Sequence, residues 1–401
     1  MLQLLNDQDT WLAFYAYKLN GGHLSKRDAQ NLKKFIDEKA YENAVEEILA
    51  GGSFDAPKKA QIGKAHSQKK RTVYIYPETQ KNILKLLNYL LQQKYDYLFA
   101  DNLFSFRSRR GARHAIGSIL HHPNVKNMWG YKADISNYFN SIPIQKMLVI
   151  LKETLMDEPE TYRFIASLLE NPNAIYRDEL IMEEKGIMAG VPTASFLANL
   201  YLMQLDQLFC EKKIVYARYS DDIILFCEDE QTLLQNVAQL KEYLAEAGLC
   251  INPEKEERFA PNEAWTYLGL SYHSGKIDIS PVSLDKIKAK IRRKTRALMR
   301  WKDKKGLEGM HAAKALIRIF NRKFFGSDDL EANELVWCRW FFPMINTDES
   351  LKIIDNYMQD CLRYLVTGKR TKARFNCRYE DLKALGYKSL VHEYYAYKKA
   401  E

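Results

Sequence analysis

The string ARYSDDIILF, residues 217–226, sets two like charges, Asp221 and Asp222, side by side between two runs of strand-forming residues. Adjacent carboxylates repel each other, and burial beside apolar strands adds a desolvation cost to each ionised form. Two resolutions are open. The pair can mark a hairpin tip as ordinary turn chemistry. Alternatively a cation offsets the repulsion, and Mg²⁺ is the simplest candidate, because a hard ion takes carboxylate oxygens and keeps positions for water and phosphate. Two such ions activate a hydroxyl and stabilise a leaving oxygen in an in-line phosphoryl displacement.

A second string bears on the choice. YKADISNYFNSIP, residues 131–143, ends a strand on Asp134, which Ile135 follows, with the aromatic Phe139 a little further on. Asp134 serves there either as a helix N-cap or, if its strand lies beside the hairpin, as a third ligand. Phe139 is either a core aromatic or a ring under the sugar of a bound nucleotide. In the second role it would clash with a 2′-hydroxyl, the group that separates RNA from DNA chemistry.

The 401 residues suffice for two or three packed units. Strand patterns at RTVYIYP (71–77), NMWGYKADI (127–135), IVYARY and DIILFC alternate with helical patterns at QKNILKLLNYLLQQ (80–93), IQKMLVILKETL (144–155) and EQTLLQNVAQLKEYLAEAG (230–248). SKRDAQNLKKFIDEKA reads as a helix capped by Ser25, GVPTASFLANLYLMQLDQLF (190–209) as a loop leading into a helix, and WTYLGLSYHSGKIDIS as a hairpin turning at Ser-Gly. From Pro281 onward the chain reads as mainly helical. No run of 18 uncharged apolar residues occurs, so a membrane partner is not expected. MLQLLNDQDTWLAF lacks the basic start and apolar core of a signal peptide. The six cysteines show no zinc-type spacing and suit a reducing cytoplasm.

In order along the chain, these strings resemble the motifs of reverse transcriptases, especially the bacterial branch of group II intron proteins, retrons and defence-associated enzymes. The Asp134 string resembles the first palm motif, GIMAGVPTASFLAN (186–199) the Gly-rich loop and its helix, ARYSDD the catalytic hairpin, and GLCINPEKE (248–256) the following motif. WTYLGL (265–270) resembles the primer-gripping hairpin, and RTVYIYP with FSFRSRRGARHAI (104–116) the fingers motifs. The resemblance covers about residues 65 to 300.

It implies an α+β right-hand polymerase with a mixed β-sheet palm and an all-helical thumb. The expected parts are an N-terminal helical segment (1–60), fingers (61–120), palm (121–280, with 145–195 contributing to fingers), thumb (281–367) and a basic, aromatic C-terminal segment (368–401). By the same resemblance, Asp134, Asp221 and Asp222 hold two Mg²⁺ ions, with Mn²⁺ as substitute and the Ile135 carbonyl as an added ligand. Lys255 would protonate the leaving pyrophosphate. Lys70 and Arg71 would hold the triphosphate, and Arg107, Phe139, Ala189 and Gly190 would line the nucleotide. Tyr219, Leu268 and Gly269 would touch nucleic acid. Plain surface or bracing roles stay open for Lys70, Arg71, Lys255 and Arg107. Close relatives of this kind carry Pro-Gln-Gly in the Gly-rich loop where this chain has Met188-Ala189-Gly190, which puts ordinary fidelity and template handling in question. That departure, the Ser at position 220 and the compact size point to the defence branch.

Charge distribution adds a partner. From Lys286 to Lys305 eleven of twenty residues are basic and one is acidic, with Ile287, Ile291, Leu298 and Trp301 on one helical face. A thumb helix of this kind would ride along an RNA–DNA hybrid through Lys290, Arg293, Lys294, Arg296 and Arg300, read by backbone and shape. GKRTKARFNCR (368–378) with the VHEYYAYKK tail would either hold a structured RNA or pack back on the thumb. The function expected is RNA-directed DNA synthesis from dNTPs on an RNA template, an associated noncoding RNA, with a role in bacteriophage defence. The alternatives are a polymerase that uses ribonucleotides or no faithful template, and a polymerase-shaped RNA-binding splicing cofactor without needed catalysis.

Overall fold

The computed structural model describes residues 1–21, 24–63, 70–108, 110–326, 336–370 and 373–400. The chain forms two compact units, Met1–Asn20 with Ala29–Glu263, and Gly21–Asp28 with Ala264–Glu401.

In the first unit, α1 (Gln8–Asn20), α2 (Lys26–Asp37) and α3 (Glu42–Leu49) form the N-terminal part. Trp11 anchors it, stacked on Tyr41 and donating its indole N–H to the Leu5 carbonyl at 2.8 Å. Ser25 caps α2 as the sequence predicts, accepting the Asp28 N–H at 3.1 Å. The hairpin β1 (Lys58–Gly63) and β2 (Lys70–Ile75) follows. Then come α4 (Glu78–Tyr95), α5 (Ala112–Leu120), β3 (Trp129–Asp134), α6 (Tyr138–Ser141), α7 (Ile144–Thr154) and α8 (Pro159–Glu170). The hairpin β4 (Asn173–Tyr176) and β5 (Glu179–Met182) leads to α9 (Ala194–Tyr201), α10 (Met203–Glu211), β6 (Val215–Tyr219), β7 (Asp222–Cys227), α11 (Glu230–Glu246) and β8 (Glu257–Phe259).

Two four-stranded sheets organise this unit. The one that carries the aspartates has the order β6-β7-β3-β8. Its strand pairs are all antiparallel, and a single bridge from Leu103 to Arg218 is the one parallel element recorded at it. The strand pairs of this sheet are thus antiparallel rather than mixed; β6 and β7 are joined by a hairpin, while β3 reaches β7 and β8 only across long intervening segments. Mixed pairing belongs to the other sheet, β2-β1-β4-β5, where β1 meets β4 in parallel at Lys58 and Ile175. The β4–β5 hairpin has no counterpart in the sequence pattern. Its strands are four residues long, and its turn, Arg177-Asp178, reaches positive φ at both positions without Gly or Asn.

The second unit opens with β9 (Trp265–Tyr267), β10 (Leu270–His273) and β11 (Lys276–Ile279) in an antiparallel meander. The expected hairpin is thus two hairpins, turning at Leu268-Gly269 and Ser274-Gly275 with positive φ at all four residues, the pattern that two-residue turns favour. These strands cluster with the helices after them, so the unit boundary falls before Ala264 rather than at Pro281. The helices are α12 (Pro281–Lys305), α13 (Gly309–Phe325), α14 (Trp337–Phe341), α15 (Glu349–Thr367), α16 (Ala373–Asn376), α17 (Tyr379–Ala384) and α18 (Leu390–Ala400). Ile287, Ile291 and Thr295 are the buried residues of α12, while Trp301 is 41% exposed. Periodicity indicates which side of a helix is covered, not how far along it the cover extends. The tail packs back within this unit: Tyr394 is buried and donates its hydroxyl to the Ile345 carbonyl at 2.9 Å. Among the described residues no helix is long and apolar enough to cross a membrane.

Gly130 shows how tightly the aspartate sheet is assembled. It pairs with Phe226 on β7 and Phe259 on β8, and a Cβ built there would lie 1.7 Å from the Phe259 ring. Gly130→Ala is expected to destabilise the chain by about 1–3 kcal/mol, as overpacking does. Replacing Phe259 by a smaller residue should recover part of the loss, read from denaturant midpoints of the single and double variants.

Candidate active site

Strand register brings the three aspartates to one end of the sheet. Asp134 closes β3 and Asp222 opens β7, and the two are direct cross-strand partners. Asp221 sits in the turn between β6 and β7, where its carbonyl accepts the Ile135 N–H at 3.0 Å. The turn needs only two residues because Ser220 takes φ +62, and Tyr219 and Asp222 pair across it. Ile135 is buried and bridges Ile251, while the Asp134 carbonyl accepts the Asn252 N–H at 2.8 Å. The segment 250–252 thereby fixes the backbone on the other side of Asp134.

The charges are set against one another. Burial, then the neighbouring Asp134, pushes the Asp221 carboxyl above the usual carboxylate range. Asp222 is pushed up to about 7, first by burial and then by Asp221 and Asp134. Lys255 supplies part of the compensation, with its ammonium 2.5 Å from Asp134 Oδ1 while staying half exposed. It is therefore a counter-ion of the aspartate cluster, not a plain surface lysine. Among the described residues no three acidic, histidine or cysteine side chains are gathered closely enough to enclose a cation as they stand. The donor set nevertheless suits a hard divalent ion: it is all carboxylate oxygen, and each charge raises the cost of the others.

Beneath the turn lies support that the sequence pattern did not announce. Arg218 is fully buried in an ion pair with Asp206, also fully buried, and its Nε lies 2.8 Å from Asp206 Oδ1. The same guanidinium donates to the carbonyls of Ser220 (3.2 Å) and Asn199 (3.3 Å). Tyr216 donates its hydroxyl to Asp206 at 3.0 Å, and the Ser220 N–H donates to Ser105 Oγ at 2.8 Å. Ser105 Oγ in turn donates to Asn199 Oδ1 at 3.1 Å. The Tyr-Ser-Asp-Asp turn is thus bonded from below at both its N–H and its carbonyl. An arginine on an otherwise apolar strand was the available signal, since a buried charge demands a buried partner.

The residues expected to meet a nucleotide divide into those brought together and one that is not. Arg71 and Lys70 open β2 with exposed side chains, and the charge of Arg71 acts on Asp221. The Gly-rich loop is tied to β2 and α6. The Ala189 carbonyl accepts the Tyr74 N–H at 2.8 Å, and the Ala189 N–H donates to Asn140 Oδ1 at 2.9 Å. Gly190 has φ +98 and its Cβ would come 3.1 Å from the Tyr74 carbonyl oxygen, so only glycine suits it. Phe139 is half-buried, edge-on to Phe106 and Tyr138, and its carbonyl accepts the Ile187 N–H at 2.8 Å. Arg107 fits the bracing role of the two left open for it, not the nucleotide role. Its guanidinium is buried and fully engaged, with Nε to Asp96 at 2.8 Å and Nη1 to the Ala100 carbonyl at 2.7 Å. It braces the 96–107 segment and has no donor to spare for a nucleotide.

Tyr219 is half-buried beside Asp222. In the second unit, Leu268 and Gly269 form the tip of the first hairpin. Arg293, Lys294, Arg296 and Arg300 are exposed on α12, while Lys290 is half-buried, its pKa lowered by burial and by Lys323, Arg293 and Lys286. The Arg109 position of the 104–116 motif lies outside the described residues.

An α+β core with a carboxylate-bearing antiparallel hairpin is the class of fold that right-hand polymerases use. Residues 57–272, more than half of the chain, match the family described as reverse transcriptase (RNA-dependent DNA polymerase), and the chain belongs to that family. It is 32% identical over 160 residues to an uncharacterized 91 kDa protein in the cob intron of Schizosaccharomyces pombe, covering 39% of this chain and 19% of that protein. It is 23% identical over 226 residues to the group II intron-encoded protein LtrA of Lactococcus lactis subsp. cremoris, covering 55% of this chain and 37% of LtrA. The chain therefore spans well under half the length of these curated relatives. Among solved structures, apo telomerase from Candida tropicalis aligns with a TM-score of 0.49 at 12% identity, over 87% of this chain and 64% of that one. Telomerase from Candida albicans in complex with a TWJ fragment of telomeric RNA gives 0.45 at 12% identity, over 88% and 68%.

The raised Asp222 carboxyl makes a pH prediction. Its folded value of about 7 exceeds the unfolded value of about 3.9, so the folded state holds the proton longer. Without divalent cation, the contribution of Asp222 to stability should be greatest below about pH 4 and fall by about 1.4 kcal/mol per pH unit until pH 7, then level off. A cation that binds the ionised form should counter this. The rise in melting temperature on adding a divalent salt should then be larger at pH 8 than at pH 5, and an equal rise at both would contradict the assignment.

Proposed function

We propose that the chain catalyses RNA-directed DNA synthesis by nucleotidyl transfer, with dNTPs as substrates. The carrying observation is the register that sets Asp134 opposite Asp222, with Asp221 in the turn beside them, in a chain of the reverse transcriptase family. Asp134 and Asp221, with the Ile135 carbonyl, are the residues that would hold two Mg²⁺ ions, for which Mn²⁺ would substitute; Asp222 contributes less directly. When bound, such ions activate the primer hydroxyl and neutralise charge on the triphosphate. Arg71, with Lys70, clamps the triphosphate from the β2 end, which its exposed guanidinium suits. Lys255 gives a proton to the leaving pyrophosphate, a role supported by its half-exposed ammonium beside Asp134. Phe139 lies against the sugar and excludes the 2′-hydroxyl, and Ala189 with Gly190 presents the loop backbone to the base pair. The basic face of α12 carries the RNA–DNA hybrid through its phosphates.

The template in this reading is an associated noncoding RNA. For the biological setting, bacteriophage defence is supported by Met188-Ala189-Gly190, a string in the Gly-rich loop that lacks the usual glutamine. A mobile-intron setting is supported by the names of the two relatives, both intron-encoded. Plating bacteriophage on cells with and without the chain separates them, because only the first setting lowers plating efficiency.

Converting Asp221 and Asp222 together to Ala should reduce dNTP incorporation on an RNA template to background and leave RNA affinity close to that of the native chain. If the double variant kept its incorporation, the polymerase reading would fall. If incorporation were absent from the native chain while RNA bound tightly, a splicing-cofactor role without catalysis would replace it.

Phe139→Ala is expected to raise ribonucleotide use relative to deoxyribonucleotide use on the order of a hundredfold, read as the ratio of kcat/KM values. A native chain that used both sugars equally would remove the steric role of Phe139.

A further inference from the structure

One cavity away from the aspartate hairpin has the lining of a ligand site. It lies wholly within the second unit, among α12, α15 and the segment around α16, and encloses about 630 Å³. That falls in the range of small-ligand sites. Its walls are two helix stripes. Arg292 and Arg296 stand one turn apart on α12, and Tyr357 and Tyr364 stand two turns apart on α15, so each pair faces one way. Arg370 and Phe375 complete the lining, with the Arg370 guanidinium 5.3 Å from the centre of the Tyr364 ring.

The charge is unbalanced. Asp360 also reaches the cavity, but it pairs with Arg363 at 3.4 Å, whose Nε is already bonded to the Cys377 carbonyl at 3.1 Å. Among the described residues no carboxylate is recorded in an ion pair with Arg292, Arg296 or Arg370. Phe375 is 83% exposed, a large ring left in water beside those cations. Guanidinium groups without counter-ions select an anion with several oxygens, and phosphate matches their fork. Aromatic faces beside them select a flat π-system, and every nucleobase has one.

We propose that this cavity binds a nucleotide, with its phosphate on Arg292, Arg296 and Arg370 and its base against Tyr364 and Phe375. The ligand is either an unpaired residue of an RNA strand or a free mononucleotide, since both present the same base and phosphate. A base held in duplex has its faces covered by its neighbours and does not enter. The site shares no residue with the aspartate hairpin; Arg296 alone is common to it and the basic face of α12, and a nucleotide there goes beyond the polymerase reading.

The test uses the full chain in buffer without divalent cations. Calorimetric titrations compare 5′-AMP, adenosine, inorganic phosphate, a short single-stranded oligoadenylate and the same oligomer annealed to its complement. The expected result is binding of 5′-AMP or the single strand, with adenosine and phosphate each weaker by roughly tenfold or more. Arg370→Ala and Phe375→Ala should each weaken binding by roughly tenfold, and Phe375→Ala should leave the weak phosphate binding as it was. Binding of the single strand but not 5′-AMP identifies the strand as the source, and the reverse identifies the free nucleotide. The Asp221→Asn chain should bind the probe as the native chain does, so failure of the polymerase reading would leave this result standing. The proposal is overturned if neither probe binds, if Arg370→Ala and Phe375→Ala weaken duplex binding as much as single-strand binding, or if the two variants, melting at the native temperature, bind undiminished.

Discussion

Repulsion among three carboxylates held at one end of an antiparallel sheet is the constraint around which the first unit is built. The Asp134–Asp222 register cannot relax it, because slipping β3 by one residue against β7 would move the side chains of β3 to the opposite face of the sheet. The apolar strands therefore hold the charges where they oppose one another. Lys255 meets one of the three, and the remaining imbalance appears as the raised carboxyls of Asp221 and Asp222. The strand framework, not the carboxylates, supplies the energy that keeps these oxygens together.

Such a framework needs a rigid base, and the buried Arg218–Asp206 pair provides it. Desolvating two charges is expensive, and only good geometry with satisfied hydrogen bonds offsets it. Here Arg218 reaches the carbonyls of Ser220 and Asn199 as well as Asp206, while Ser105 meets the Ser220 N–H. The two-residue turn is bonded on both sides, so the strained φ of Ser220 is retained and Asp221 keeps its direction. A second layer of the same logic joins the Gly-rich loop to β2, through Asn140 and the backbone of Ala189 and Tyr74. The ties of Ala189 run through its main-chain N–H and carbonyl, so they do not depend on its side chain.

Much of this was legible along the chain. The strands around Asp134 and around the Asp221–Asp222 turn, the helix over 230–246 and the Ser-Gly turn at 274–275 all follow from local pattern, because periodicity and turn chemistry are local properties. The short β4–β5 hairpin was not legible: four-residue strands carry too little alternation, and Arg177-Asp178 is no turn signature. The two roles open to Arg107 could not be separated along the chain for a related reason. An arginine in a basic string reads as a phosphate ligand until its partner, Asp96, is seen to occupy it.

The sequence by itself determined the kind of chemistry on offer: three acidic residues at strand ends and the turn between them, a glycine in the loop, and a helix with cations on all but one face. Tertiary structure alone decided which of those groups meet. The pairing of β3 with β7 puts Asp134 beside residues far along the chain, the fold seats Lys255 on Asp134, and it buries Arg218 rather than Arg71. Local pattern encodes what a segment can form. Electrostatic partners at long separation depend on how the apolar faces pack, and no single segment contains that information.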